Sequence, residues 1–288
     1  MAQYKHLRQI LNEKKISDMS DAEHKNLRYN EAEGHQWHAT HPVHHMNIVN
    51  HFNQATEGEK HHGMNWYADA HKTMKAVAND TGVPHHTMAG LVSNYSPQTP
   101  WHANILTAAR VARHKQALGG PGSGVMASGH QKQAAHRMLQ GEHYNNVLVG
   151  HKVRHFAHLI EHGGNEHHDK PHVVIDRHAY SVAAGARMTD AAFGLAGLKN
   201  KKKYMQVHKA YVDAAHHLSK QHGYDIHPHQ VQAVTWLARQ RMNAAEEKAG
   251  VKKRNTAGVA AKAKSAWDKY AGEHHPRIVG KEPGTGWN

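Results

Sequence analysis

Apolar positions recur along most of the chain at helical rather than alternating spacing. In NWYADAHKTMKAVAND, Trp66, Ala70, Met74 and Val77 fall three or four residues apart, which predicts a helix that TGVP ends. HTMAGLVSNYS predicts a compact apolar helix, and SPQTP a turn after it, with Thr99 as N-cap and Pro100 at the first helical position of the next helix. That next helix, WHANILTAARVARHKQAL, places Trp101, Ile105, Ala108, Ala109 and Ala112 on one side. GGPGSG reads as a helix–helix connection, and a helix follows from about Gln131 to Leu139. YNNVLVGHKVRHFAHLIEHGG predicts a short helix, a hairpin at Gly150 and a second helix. Two longer amphipathic helices come later, one with Tyr204, Val207, Tyr211, Ala215 and Leu218, the other with Val231, Val234, Leu237 and Ala238. No segment of any length alternates with period two, so the expected fold class is all-α.

One stretch departs from helical spacing. In HVVIDRHAY, Val173, Val174 and Ile175 run together into Asp176, and a helical pattern starts behind it. With no partner strand visible elsewhere, the run predicts a short extended lead-in. It buries its three apolar residues and delivers Asp176 to a helix N-terminus. Composition divides the chain into a polar, histidine-rich N-terminal extension (1–62), a helical domain (63–243) and a basic tail (244–288). Between Lys248 and Lys264 there are six basic residues and no acids. Lys252, Lys253 and Arg254 read either as a solvated tail or as a sequence-independent phosphate-binding arm.

Charge narrows the partners. The 288 residues carry a formal net charge of +13, which points to a polyanion, nucleic acid before an acidic membrane surface. No apolar run approaches bilayer length, and MAQYKHLRQILNEKK lacks a secretory apolar region, so no membrane partner and a cytoplasmic location are expected. Without cysteine there can be no disulfide, thiolate zinc site or cysteine-ligated iron–sulfur cluster. The 34 histidines include His35, His38, His41, His44 and His45 at metal-like steps, but Pro42 interrupts any helix there. They read as a histidine-biased surface, with a metal site as the alternative; no metal and no cofactor are expected.

The residues that could carry chemistry are Lys152, just after the glycine hairpin, and Asp176, twenty-four positions on. A glycine hairpin can aim backbone N–H groups at a phosphate. A carboxylate at a helix N-terminus is favoured as the anion, and could stabilise an oxocarbenium-like centre or orient a water. A lysine amine beside it could form a Schiff base. Each residue has a plainer reading: a surface lysine, and a helix N-cap.

These residues resemble the helix-hairpin-helix DNA glycosylase superfamily. Leu148, Gly150 and Lys152 match the family's L-P-G-V-G-x-K-T-A pattern, and Val174, Asp176, His178 and Ala179 match its V-D-T-H-V. Ser96, Gln98 and Thr99 match the earlier L-L-S-x-Q-T. The resemblance spans roughly residues 64 to 243. NWYADA, SPQTPWHANI, VGHKVRHF, VVIDRHA and VQAVTW are also similar, in that order, to a set of phage and actinobacterial proteins, which implies a diverged, often phage-borne branch. The chain departs from the pattern in lacking the hairpin's second glycine, in a wider lysine-to-aspartate gap, and in Ser181 near the place of the family's arginine.

The resemblance implies a helix-hairpin-helix glycosylase-like domain. It would act on double-stranded DNA with a flipped base, in the host cytoplasm if phage-encoded. Asp176 would be the catalytic carboxylate and Lys152 the Schiff-base nucleophile. Gly150, His151, Arg154, Arg177 and His178, with Lys252, Lys253 and Arg254 of the tail, would contact DNA. Asn94, Tyr95, Gln98 and Trp101 would line the base pocket. The alternatives on the same residues are a phage base-hypermodification enzyme and a DNA-binding or virion-associated protein without catalysis. For Trp66, Trp101 and Trp236, helical spacing favours core packing over base stacking.

Overall fold

The computed structural model describes residues 20–97, 99–114, 127–164, 170–248 and 264–269. The fold is all-α. Its helices are α1 (Asp21–Thr40), α2 (His45–Asn53), α3 (Glu57–Thr81), α4 (His85–Tyr95), α5 (Trp101–His114) and α6 (Gly129–Leu139). Then follow α7 (Tyr144–Val147), α8 (His151–His162), α9 (Arg177–Ala184), α10 (Asp190–Leu195), α11 (Lys201–His222) and α12 (Pro228–Lys248). A further helical turn spans 264–269, and no strand occurs among the described residues.

The buried apolar residues form two clusters. The first gathers α3 to α8 around Trp66, Met74, Leu91, Ile105, Tyr144 and Leu159. The second gathers α1, α2, α9, α10 and α11 around Ile48, Phe52, Val182, Tyr204, Tyr211 and Leu218. Two segments belong to both. From α12, Ala233 faces the first cluster while Val231, Val234 and Ala238 face the second. From the extended segment before α9, Val174 faces the first, and Val173 and Ile175 face the second. This is the period-two alternation of extended backbone, expressed without a sheet. Gly63 lets α3 and α12 approach closely, since a Cβ there would stand 2.6 Å from the Val234 backbone.

Three sequence expectations change. The boundary at 62/63 falls inside α3, which starts earlier because Thr56 and Glu59 form a reciprocal capping box. Trp37, Ile48, Val49 and Phe52 lie in the second cluster, so the supposed extension supplies core. The boundary at 243/244 falls inside α12, and Trp267, 3% exposed, packs into the first cluster. Polar, histidine-rich composition hid these contributions because only a few large apolar side chains carry them. The Thr99 cap is also displaced: its hydroxyl donates to the Pro97 carbonyl at 3.4 Å, and α5 begins at Trp101.

Candidate active site

The segment before α9 has no partner strand, so its buried backbone groups must be satisfied by side chains. Tyr204 supplies two of these bonds. Its hydroxyl donates to the Val173 carbonyl at 2.7 Å and accepts from the Ile175 amide at 3.1 Å. His155 Nδ1 donates to the same Val173 carbonyl at 3.0 Å, and His208 Nε2 donates to the Pro171 carbonyl at 2.8 Å. The rail so formed ends on Asp176, the N-cap of α9, whose Oδ1 accepts from the Ala179 amide at 2.8 Å. Asp176 Oδ2 has no hydrogen-bond partner among the described residues.

Lys152 arrives by a different route. α7 ends at Val147, Leu148 and Val149 turn the chain, and Gly150 starts α8 with φ 103° and ψ 142°, a backbone region open essentially to glycine alone. Arg154 Nε donates to the Leu148 carbonyl at 2.6 Å and closes the turn. Val149 at its tip is 90% exposed.

Both residues bear electrostatically on His178. Burial lowers the pKa of its ring; the Asp176 carboxylate opposes this, and the charges of Arg177, Arg239 and Lys152 add to it. Groups from α8, α9 and α12 thus act on one imidazole. The ring lies edge-on to Trp236, with centroids 6.0 Å apart, and its Nδ1 is 3.4 Å from Asn243 Nδ2. Arg239, only 6% exposed, was not singled out in the sequence. Its signal was a cation beside the apolar stripe Val231, Val234 and Ala238 of α12.

Other candidates have different surroundings. Arg177 is held by Asp190, by the Met188 carbonyl at 2.5 Å and over the Phe193 ring, so its guanidinium ties α9 to α10 instead of standing ready for a phosphate. His151 turns towards Tyr204, ring centroids 5.1 Å apart. Asn94 is spent joining α4 to α6: its Nδ2 donates to the Gln131 carbonyl, and Gln131 Nε2 donates to the Asn94 carbonyl, both at 2.8 Å. Tyr95 and Trp101 are 3% and 2% exposed. Burial pushes the Tyr95 hydroxyl up to about 12. Trp101 lies edge-on to Trp66 at 5.4 Å. The Tyr95 hydroxyl, the Trp101 indole N–H and Asn104 Oδ1 are buried without a hydrogen-bond partner. Gln98, Lys252, Lys253 and Arg254 lie outside the described residues.

Trp66, Trp101 and Trp236 are all core residues, as helical spacing predicts. Among the described residues no three His, Asp or Glu side chains converge to hold a metal ion, and no helix is long and apolar enough to cross a membrane.

Fold and site together define an all-α protein whose two apolar clusters share an extended segment that leads into a carboxylate-capped helix. The chain belongs to a family of unknown function, DUF7178, whose model matches residues 32–263. No curated protein and no solved structure matches it. The family match begins inside α1 and runs past α12; it takes in the core residues Trp37, Ile48, Val49 and Phe52 of the N-terminal flank and ends before Trp267.

Proposed function

We propose that the protein is a DNA-acting enzyme of the helix-hairpin-helix glycosylase type, cleaving the N-glycosidic bond of a damaged or modified base flipped from the duplex. What supports this reading is the placing of Asp176 at the N-terminus of α9 with one carboxylate oxygen spent on the cap, together with the electrostatic influence of both Asp176 and Lys152 on the His178 ring. In this reading Asp176 Oδ2 faces the sugar and stabilises positive charge developing at its anomeric carbon, while Oδ1 keeps the carboxylate fixed on α9. Lys152 is the amine that attacks that carbon where strand cleavage accompanies base release. The net charge of +13 supplies salt-sensitive affinity for the phosphate backbone.

Base release and strand nicking, assayed on duplexes carrying damaged or hypermodified bases, test the proposal. Asp176→Asn keeps a capping oxygen and is expected to reduce base release by about 10²–10⁴-fold with DNA affinity retained. Undiminished release in that variant defeats the mechanism. A second reading, DNA binding without catalysis, is favoured by the capping role of Asp176. It predicts duplex binding with no base release in either protein.

A further inference from the structure

Imidazoles line one face of α8, half-buried at His151, His155 and His158 and exposed at His162. His151, His155, His158 and His162 follow at four-, three- and four-residue steps, opposite the apolar face of Phe156, Leu159 and Ile160. His172 from the extended segment stacks on His158, ring centroids 4.0 Å apart, and meets His155 edge-on at 4.8 Å. His208 of α11 closes the group at 5.7 Å from His155. Two members of this ladder, His155 and His208, also hold the Val173 and Pro171 carbonyls of the segment that ends on Asp176.

We propose that this histidine ladder is an acid-sensitive latch: neutral, it clamps residues 171–175 between the two apolar clusters, and on protonation it releases them and with them Asp176. The mechanism is repulsion and desolvation rather than loss of a bond. With Nδ1–H already donated to Val173, the incoming proton goes to Nε2 of His155 and leaves that bond formally intact. It also places a charge in a half-buried site beside other imidazoles. The groups facing His155 offer little to balance it. They are His151 on its own helix, His172 on the segment with His158 stacked on it, and Tyr204 and His208 on α11. The other helices packed on α8 present His71 at the Ile160 carbonyl, Ser93 at the Val153 carbonyl and Tyr144 on Glu161. Glu161 is the carboxylate of that set, and its Oε2 already accepts from Tyr144 at 2.6 Å.

The direction follows from linkage. Burial, with the charges of His172, His208 and His151 behind it, holds His155 down at about 4, against a bonded carbonyl that works the other way. A released segment lets the ring return towards its ordinary value near 6.5. The clamped state therefore binds fewer protons, its advantage is complete above about pH 6.5, and it is lost as pH falls towards 4.

Amide hydrogen exchange of the full chain at pH 7.5 and pH 5.0, corrected for intrinsic exchange rates, tests the latch without substrate. Protection of the Ile175 amide, held by the Tyr204 hydroxyl, is expected to fall by about 30-fold at pH 5.0, the factor set by shifting one site from about 6.5 to about 4. His155→Gln is expected to abolish most of that fall. His172→Gln, at a half-buried position, is expected to reduce it, and serves if the first variant does not fold. Equal protection at both pH values overturns the latch, as does the full loss persisting in whichever variants fold. The consequence for catalysis rests on the proposed role of Asp176, but the exchange measurement does not. An unlatched protein that still releases bases, or a latched one that never does, separates the two ideas.

Discussion

Lys152 and Asp176 follow two segments built in opposite ways. The hairpin at 148–150 is local, buried at Leu148 and exposed at Val149 and Gly150. Its closing bonds run from Leu148 N–H to the Tyr144 carbonyl and from Arg154 to Leu148, all within a few residues. Its one special requirement is the backbone of Gly150. The segment at 171–176 is buried and non-local: Val173, Val174 and Ile175 are 0%, 6% and 1% exposed, and their backbone partners come from α8 and α11. The exposed turn at Val149 and Gly150 can vary without disturbing the core. The second segment ties the position of the carboxylate to the integrity of both apolar clusters.

Ile175→Ala strikes the buried side hardest. Removing its apolar atoms from the second cluster should cost about 2–5 kcal/mol in denaturant unfolding. A smaller change sharpens the contrast. Tyr204→Phe leaves the Ile175 amide without its acceptor, while the Val173 carbonyl keeps His155. A loss of about 1–3 kcal/mol is expected, read by the same unfolding curves and by faster exchange at Ile175. Gly150→Ala acts on the backbone alone. A Cβ there meets no atom, so only the strained φ opposes it, at about 1–3 kcal/mol. Exchange protection at 173–175 should stay unchanged in that variant. A loss there comparable with that of Tyr204→Phe would show that the two segments are mechanically one.

Much of the fold was legible. Helical spacing placed Trp66, Ile105, Tyr204 and Val231 in the core correctly, because an amphipathic helix must repeat its apolar positions whatever it packs against. The reading of HVVIDRHAY as an extended lead-in to a helix N-terminus also matches the structure. The flanks were misjudged. In HMNIVNHFN, Ile48, Val49 and Phe52 are too few to outweigh their histidines in a composition count, yet they are at most 1% exposed. Candidate site residues divided along a similar line. Arg177 and Asn94 carry suitable chemistry, but their partners, Asp190 and Gln131, turn that chemistry inward. Arg239 was passed over because its neighbours on α12 are apolar.

By itself the sequence determined the all-α class, the net charge of +13, the absence of thiol chemistry and the cap at Asp176, since each depends on composition or on residues close along the chain. Only the tertiary structure decided that Lys152, Asp176 and Arg239 act on one imidazole, that Tyr204 and His155 stand in for a missing strand, and that six histidines form a ladder. Those facts depend on which helix faces which, and that is settled by how two apolar clusters close around one shared segment.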